Sequence, residues 1–155
     1  MLVPLLTALH LIIVVLWIGG VAFVTMIIFP MLSRMEDSFE QVLMFQRIEH
    51  RFGGHAKIYT ALSGITGGIL LYLTGEEKLL FSMQGIGVTM MTIAWALYFL
   101  VLIFEKKLFG VLFSDAKKFD PKKVFSFLTA FHWVILGVSL LAVFLGVWSA
   151  HGGAL

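Results

Sequence analysis

Four long apolar blocks alternate with shorter polar segments along the chain. They cover approximately residues 5–29, 56–74, 85–104 and 124–149. As a helix that rises about 1.5 Å per residue, each block is long enough to cross the roughly 30 Å hydrocarbon core of a bilayer. The pattern predicts an all-α fold in which residues 1–155 form a single transmembrane domain, an integral membrane four-helix bundle.

The basic residues lie almost entirely on one side of these blocks. Of the 11 lysines and arginines, all but Lys78 fall in or beside the first and third connections, within residues 33–57 and 105–123. Because positive charge is retained in the cytoplasm, these connections are predicted to be cytoplasmic. The protein is then a multi-pass protein of the cell (inner) membrane, with both termini on the outer side. The net charge of +2 therefore has an explanation that needs no nucleic acid.

The polar segments carry helix signals of their own. Pro30 predicts that the first helix ends there, since proline lacks the N–H that continues a helix. Asp120 followed by Pro121 is typical of an N-cap and a first helical turn. Apolar residues recur every three or four positions in the first connection, namely Met35, Phe39, Val42, Phe45, Ile48 and Phe52. This spacing predicts an amphipathic helix that either lies on the membrane surface or caps the bundle, and a weaker repeat precedes Pro121.

Composition narrows the chemistry. The chain is 60% hydrophobic and 13% charged, where a soluble domain has about 25% charged residues, and its mean hydropathy is +1.01. It has no cysteine, which excludes thiolate metal sites, thiol–disulfide exchange and iron–sulfur clusters. No acidic residue lies inside an apolar block, which argues against a small proton-coupled multidrug exporter.

Histidines are the remaining candidates. His10 lies inside the first block and His132 inside the fourth, where an ionisable side chain is a functional hypothesis by default. Neutral imidazole is a common ligand for haem iron and for copper. The alternative is a structural hydrogen bond to a neighbouring helix. His50 stands among charged residues, which favours a solvated role.

Depth in the membrane decides which histidines can act together. By helical rise, His10 lies about 10 Å toward the outer face and His132 about 8 Å toward the inner face, so they are not expected to share one haem. His55 matches His132 in depth and defines an inner site. His10 defines an outer site, for which the partners of matching depth are His151, Met90 and Tyr72. Trp17 lies seven residues after His10 on roughly the same helical face. A single site is the alternative to two.

The first helix resembles that of a known family. Leu9-His10-Leu11, Trp17-Ile18-Gly19-Gly20 and Pro30 resemble the opening helix of the copper-resistance protein D (CopD) family. Arg51-Phe52 with Ala56, then Gly64 and Gly68, resembles its next helix, and the related HemJ-type protoporphyrinogen oxidases share a similar first helix. The resemblance covers roughly residues 5–70. It implies copper uptake or handling with His10 as the matched histidine, or, in the HemJ form, haem binding late in haem synthesis.

Three functions follow as expectations. The first is a membrane protein that binds one or two histidine-ligated haems b. It would move electrons between quinone and another redox protein and would therefore act as an oxidoreductase. The second is a copper transport or handling protein. The third is an accessory subunit without a cofactor, whose histidines bond to hydroxyl groups such as those of Thr7, Thr60, Thr66, Thr92 and Ser139. Gly64 and Gly68 allow close helix packing, either within one chain or in a homo-oligomer.

Overall fold

The protein is built from long helices. The computed structural model describes residues 1–113 and 121–150. Its elements are α1 (Leu2–Phe23), a π-helix (Val24–Ile28), α2 (Phe29–Ser33), α3 (Ser38–Thr74), a 3₁₀ turn (Glu76–Leu79), α4 (Ile86–Phe113) and α5 (Pro121–Ala150). Four stretches are long and apolar enough to cross a membrane, namely Leu2–Ser33, Phe39–Thr74, Ile86–Phe104 and Lys123–Ser149. The predicted all-α membrane bundle is thereby confirmed.

The helices pack as a ring of neighbours. The most extensive contacts join α1 to α3 and α4 to α5, and smaller ones join α3 to α4 and α1 to α5. We call the end that carries the connection from Ser33 to Ser38 the basic end. The opposite end carries Leu2 and the loop from Gly75 to Gly85, and we call it the N-terminal end.

The first helix runs past its proline, so the prediction that it ends at Pro30 was wrong. Residues Val24–Ile28 form a π-helix, and α2 then continues through Pro30 to Ser33. Proline cannot donate to the carbonyl four residues earlier, and its ring crowds that carbonyl. A π-helical turn directly before it widens the coil and absorbs this mismatch, so the helix is not broken.

The amphipathic segment is the first part of α3 and is continuous with the second span. Asp37 caps α3, and its carboxylate accepts hydrogen bonds from the backbone N–H of Phe39 at 2.7 Å and of Glu40 at 3.2 Å. Of the predicted apolar stripe, Phe45 is buried and four others pack around the same core, whereas Phe39 is exposed. The segment therefore caps the bundle.

Two apolar clusters hold the bundle together. The cluster at the basic end joins Val24, Ile28, Phe29, Leu32, Phe45, Phe125 and Leu128. Phe45 stands edge-on to Phe125, with ring centroids 5.4 Å apart. The central cluster joins Trp17, Val21, Tyr98 and Leu136. These clusters connect α1, α3, α4 and α5, so the side chains between them are held in place.

Glycines let side chains of neighbouring helices approach the backbone. A Cβ at Gly20 would lie 2.7 Å from the ring of Phe52, and the ring of Trp95 lies against Gly64. The indole N–H of Trp95 also donates to the carbonyl of Thr60 at 2.8 Å. The ring of Phe52 fills the space beside Gly20.

Candidate histidine sites in the bundle

His10 is held on α3 through one of its two ring nitrogens. Its Nδ1 lies 2.8 Å from Oγ1 of Thr66. The hydroxyl proton of Thr66 is directed to the carbonyl of Leu62, which lies 2.7 Å from the same oxygen. With the Thr66 proton on the Leu62 carbonyl, the Thr66 oxygen accepts from Nδ1–H, and in that tautomer Nε2 of His10 keeps its lone pair.

The ring of His10 also rests on a glycine. A Cβ at Gly67 would lie 3.1 Å from Cε1 of His10, closer than most side-chain contacts. Thr66 and Gly67 thus fix both the hydrogen bond and the plane of the imidazole. The ring is half-buried. The hydrogen bond expected of a structural histidine is present, and it engages Nδ1.

The contact between His10 and Gly67 sets the register of α1 against α3. Because the two helices run in opposite directions, Trp17, seven residues after His10, lies level with Thr60, seven residues before Gly67. The indole nitrogen of Trp17 and the hydroxyl of Thr60 are both buried and have no hydrogen-bond partner among the described residues. Two unpartnered polar atoms therefore lie at one level between α1 and α3.

His132 is fixed in a similar way near the basic end. Its Nδ1 lies 2.8 Å from the carbonyl oxygen of Leu128 on its own helix. A carbonyl oxygen only accepts, so Nδ1 carries the proton and Nε2 the lone pair. The ring lies between Phe29, with centroids 4.7 Å apart, and Phe131, with centroids 5.8 Å apart.

His132 lines a crevice between α3, α4, α5 and the π-helix. The cavity measures about 110 Å³ and is partly open. Its walls are mainly apolar, and its polar side chains are His132, Tyr98 and Glu49. Tyr98 is buried and stands edge-on to Trp17, with ring centroids 4.8 Å apart. The crevice thus extends from the basic end toward the central cluster.

The structure does not bring His55, the partner predicted for His132, into the crevice. His55 is exposed, bonds through Nδ1 to the carbonyl of Arg51 at 2.8 Å, and does not line the crevice. Phe52, Gly53 and Ala56 occupy the inward face of α3 at this level. His55 follows Phe52 by three residues, but the helix has turned it to the outside. His50 is exposed as well.

The structure describes two of the three partners expected for His10, Tyr72 and Met90. His151 lies outside the described residues, as does Asp120. Tyr72 is 78% exposed, and Met90 is half-buried on α4. Within residues 1–113 and 121–150, no group of three histidine, cysteine or acidic residues is placed to hold a metal ion. Among the described residues, no second histidine bonds to or packs against His10 or His132.

The two sites are far apart. His132 packs on Phe29, which follows His10 by 19 residues, or roughly 28 Å of helical rise. Their free nitrogens therefore do not bind one iron. Sequence reasoning missed Tyr98, although a tyrosine in the middle of an apolar block was the available signal, because its hydroxyl needs a polar environment.

No family model matches this chain, and neither a curated protein nor a solved structure matches it. The candidate sites are therefore assigned from their own chemistry.

Proposed function

We propose that this protein is a membrane redox protein that binds haem b through Nε2 of His10. The observation that carries the proposal is the 2.8 Å hydrogen bond between Nδ1 of His10 and Oγ1 of Thr66. We take Nδ1 to carry the proton, which leaves Nε2 as the ligating atom. Histidines that ligate metals usually donate their other ring N–H in this way, which orients the ring and raises its basicity.

The donor set at His10 fits an axial ligand, and the resemblance of the first helix to the CopD and HemJ families supports the same histidine. Trp17 adds a buried, unpartnered N–H on the same face of α1. A bound haem would supply one-electron chemistry at this depth. Thr66 and Gly67 would hold the ligand ring, and no other residue is assigned to the metal.

The crevice at His132 does not fit a macrocycle. Its volume of about 110 Å³ is well below the roughly 300–1,000 Å³ of ordinary small-molecule pockets. A porphyrin contains four pyrrole rings and would displace several lining side chains. We therefore propose one haem per chain, although the sequence left two open, and we assign it to His10 on the strength of the bond to Thr66.

The proposal includes an orientation. Arg34, Arg47, Arg51 and Lys57 lie at or near the basic end, so this end faces the cytoplasm by the positive-inside rule. His10 then lies in the outer half of a cell (inner) membrane, and electrons reach it from quinone or from another redox protein. Cysteine labelling from either side of the membrane, at positions 36 and 77, tests the orientation.

An absorption spectrum of the purified protein in detergent tests the haem. We expect a Soret band, sharp reduced α and β bands, and about one haem per chain. The variant His10→Ala should lose these bands and remain inserted. His55→Ala is the matched control, because His55 has the same type of Nδ1 bond on an exposed face. Full haem content in His10→Ala would refute the assignment.

Copper is the second candidate, and the level of one methionine on α4 favours it. The ring of Trp95 lies on Gly64, and α3 and α4 are antiparallel, so Met90 lies near the level of Gly67 and His10. Imidazole with a thioether suits copper(I). A colourless protein that retains about one copper per chain, and loses it in both His10→Ala and Met90→Leu, would replace haem with copper.

A further inference from the structure

We propose that the crevice beside His132 binds the head group of a reduced isoprenoid quinone. The inference rests on the proposed function in one respect: the haem would be the electron acceptor for the quinol. Binding of the quinol itself depends only on the crevice. The crevice lies far from His10, toward the opposite side of the membrane. The haem assignment gives no role to the imidazole of His132 or to the hydroxyl of Tyr98, which both line the crevice.

The size of the crevice suits one aromatic ring. It measures about 110 Å³. An engineered apolar cavity of about 150 Å³ in another protein takes up benzene, so a six-membered ring is the right order of size. The walls include Phe45, Phe52 and Phe131, which offer ring faces and edges for stacking. The partial opening lets a hydrocarbon tail extend out of the crevice.

The polar groups distinguish the reduced from the oxidised ring. Nδ1–H of His132 is donated to Leu128, so Nε2 only accepts hydrogen bonds. A quinol hydroxyl donates to such a nitrogen, whereas a quinone carbonyl cannot. Oxidised quinone therefore loses one hydrogen bond at His132 and should bind more weakly.

Tyr98 recognises the opposite end of the ring. It belongs to the central cluster with Leu136, which follows His132 by one helical turn, so Tyr98 lines the crevice on the side of the central cluster. The oxygens of a 1,4-quinol lie at opposite ends of its ring and point in opposite directions. One hydroxyl can then donate to Nε2 of His132 while the other oxygen accepts from the Tyr98 hydroxyl.

Titration calorimetry in detergent tests the inference, with a decyl-tailed benzoquinol kept reduced under argon and the same compound oxidised. We expect saturable binding of the quinol at one site per chain and at least tenfold weaker binding of the quinone. His132→Ala and Tyr98→Phe should each weaken quinol binding severalfold or more. His55→Ala should bind like the wild type, and it corrects for partition into the micelle.

The outcomes separate this inference from the haem proposal. Identical, unsaturable uptake by wild type and His132→Ala would overturn it, as would tighter binding of the quinone. Loss of the haem spectrum in His132→Ala would also overturn the inference, because His132 would then be needed to bind haem. A colourless protein that still binds quinol through His132 would support the crevice and refute only the haem at His10.

Discussion

Thr66→Val is the substitution that most directly tests how His10 is held. Valine has the shape of threonine, so the packing of α3 on α1 is kept while the hydroxyl that accepts from Nδ1–H of His10 is removed. The matched control is Thr60→Val, two turns earlier on α3. Thr60 is fully buried, and its hydroxyl has no partner among the described residues.

The two substitutions are expected to change the free energy of unfolding differently. Thr66→Val leaves a half-buried N–H unsatisfied, which costs about 1–3 kcal/mol in proteins generally. Side-chain hydrogen bonds between membrane helices average only about 0.6 kcal/mol, with a maximum near 1.7, so we expect a loss of about 0.6–1.7 kcal/mol. Thr60→Val removes a hydroxyl that makes no bond, and we expect no loss or a slight gain in stability.

Both variants are measured by reversible unfolding in mixed detergent and dodecyl sulfate micelles, followed by tryptophan fluorescence. Haem affinity is titrated on the apoprotein, where loss of a partner that orients the ligand is expected to cost about 10–100-fold for Thr66→Val. If Thr66→Val were as stable as Thr60→Val and bound haem equally well, the tautomer inferred for His10 would be wrong.

Two further predictions concern the packing of the bundle. Gly64→Ala places a methyl group against the Trp95 ring and should destabilise by about 1–3 kcal/mol, whereas Gly68→Ala, which meets no atom within 4 Å, should be neutral or gain up to about 1 kcal/mol of helix propensity. Phe45→Ala should cost about 3–5 kcal/mol, because it empties the centre of the cluster at the basic end. The same unfolding titration checks both, and equal stability of the two alanine variants would contradict the close contact at Gly64.

Most of the fold was predictable because lipid imposes a simple length and polarity rule. The four spans follow from apolar blocks alone, and α5 begins at the predicted Pro121. The continuity of α3 was not predictable in the same way. Charged residues such as Arg47 and Arg51 end the apolar block, yet a helix does not have to end where its surroundings change from lipid to water. Only packing of Phe45 into the core shows that the segment continues.

The sites were predictable as residues and less so as arrangements. His10 and His132 were identified because a histidine in an apolar block is costly without a role. The partner of His132 was assigned by depth alone, and depth does not determine which face of a helix points inward. At about 100° per residue, the inward-facing Phe52, Gly53 and Ala56 span an arc of about 100° on α3. His55 lies about 60° outside this arc, so its side chain is exposed.

Trp17 is the residue that connects the two proposed sites. It lies seven residues, or about 10 Å, from His10 along one face of α1, and its ring stands against Tyr98 at 4.8 Å. Tyr98 in turn lines the crevice of His132. The histidines themselves are too far apart to share a ligand, but aromatic rings occupy the interval between them. A quinol in the crevice would therefore be linked toward a haem at His10 through Tyr98 and Trp17. This arrangement gives a role to a buried tryptophan whose depth excludes interfacial anchoring.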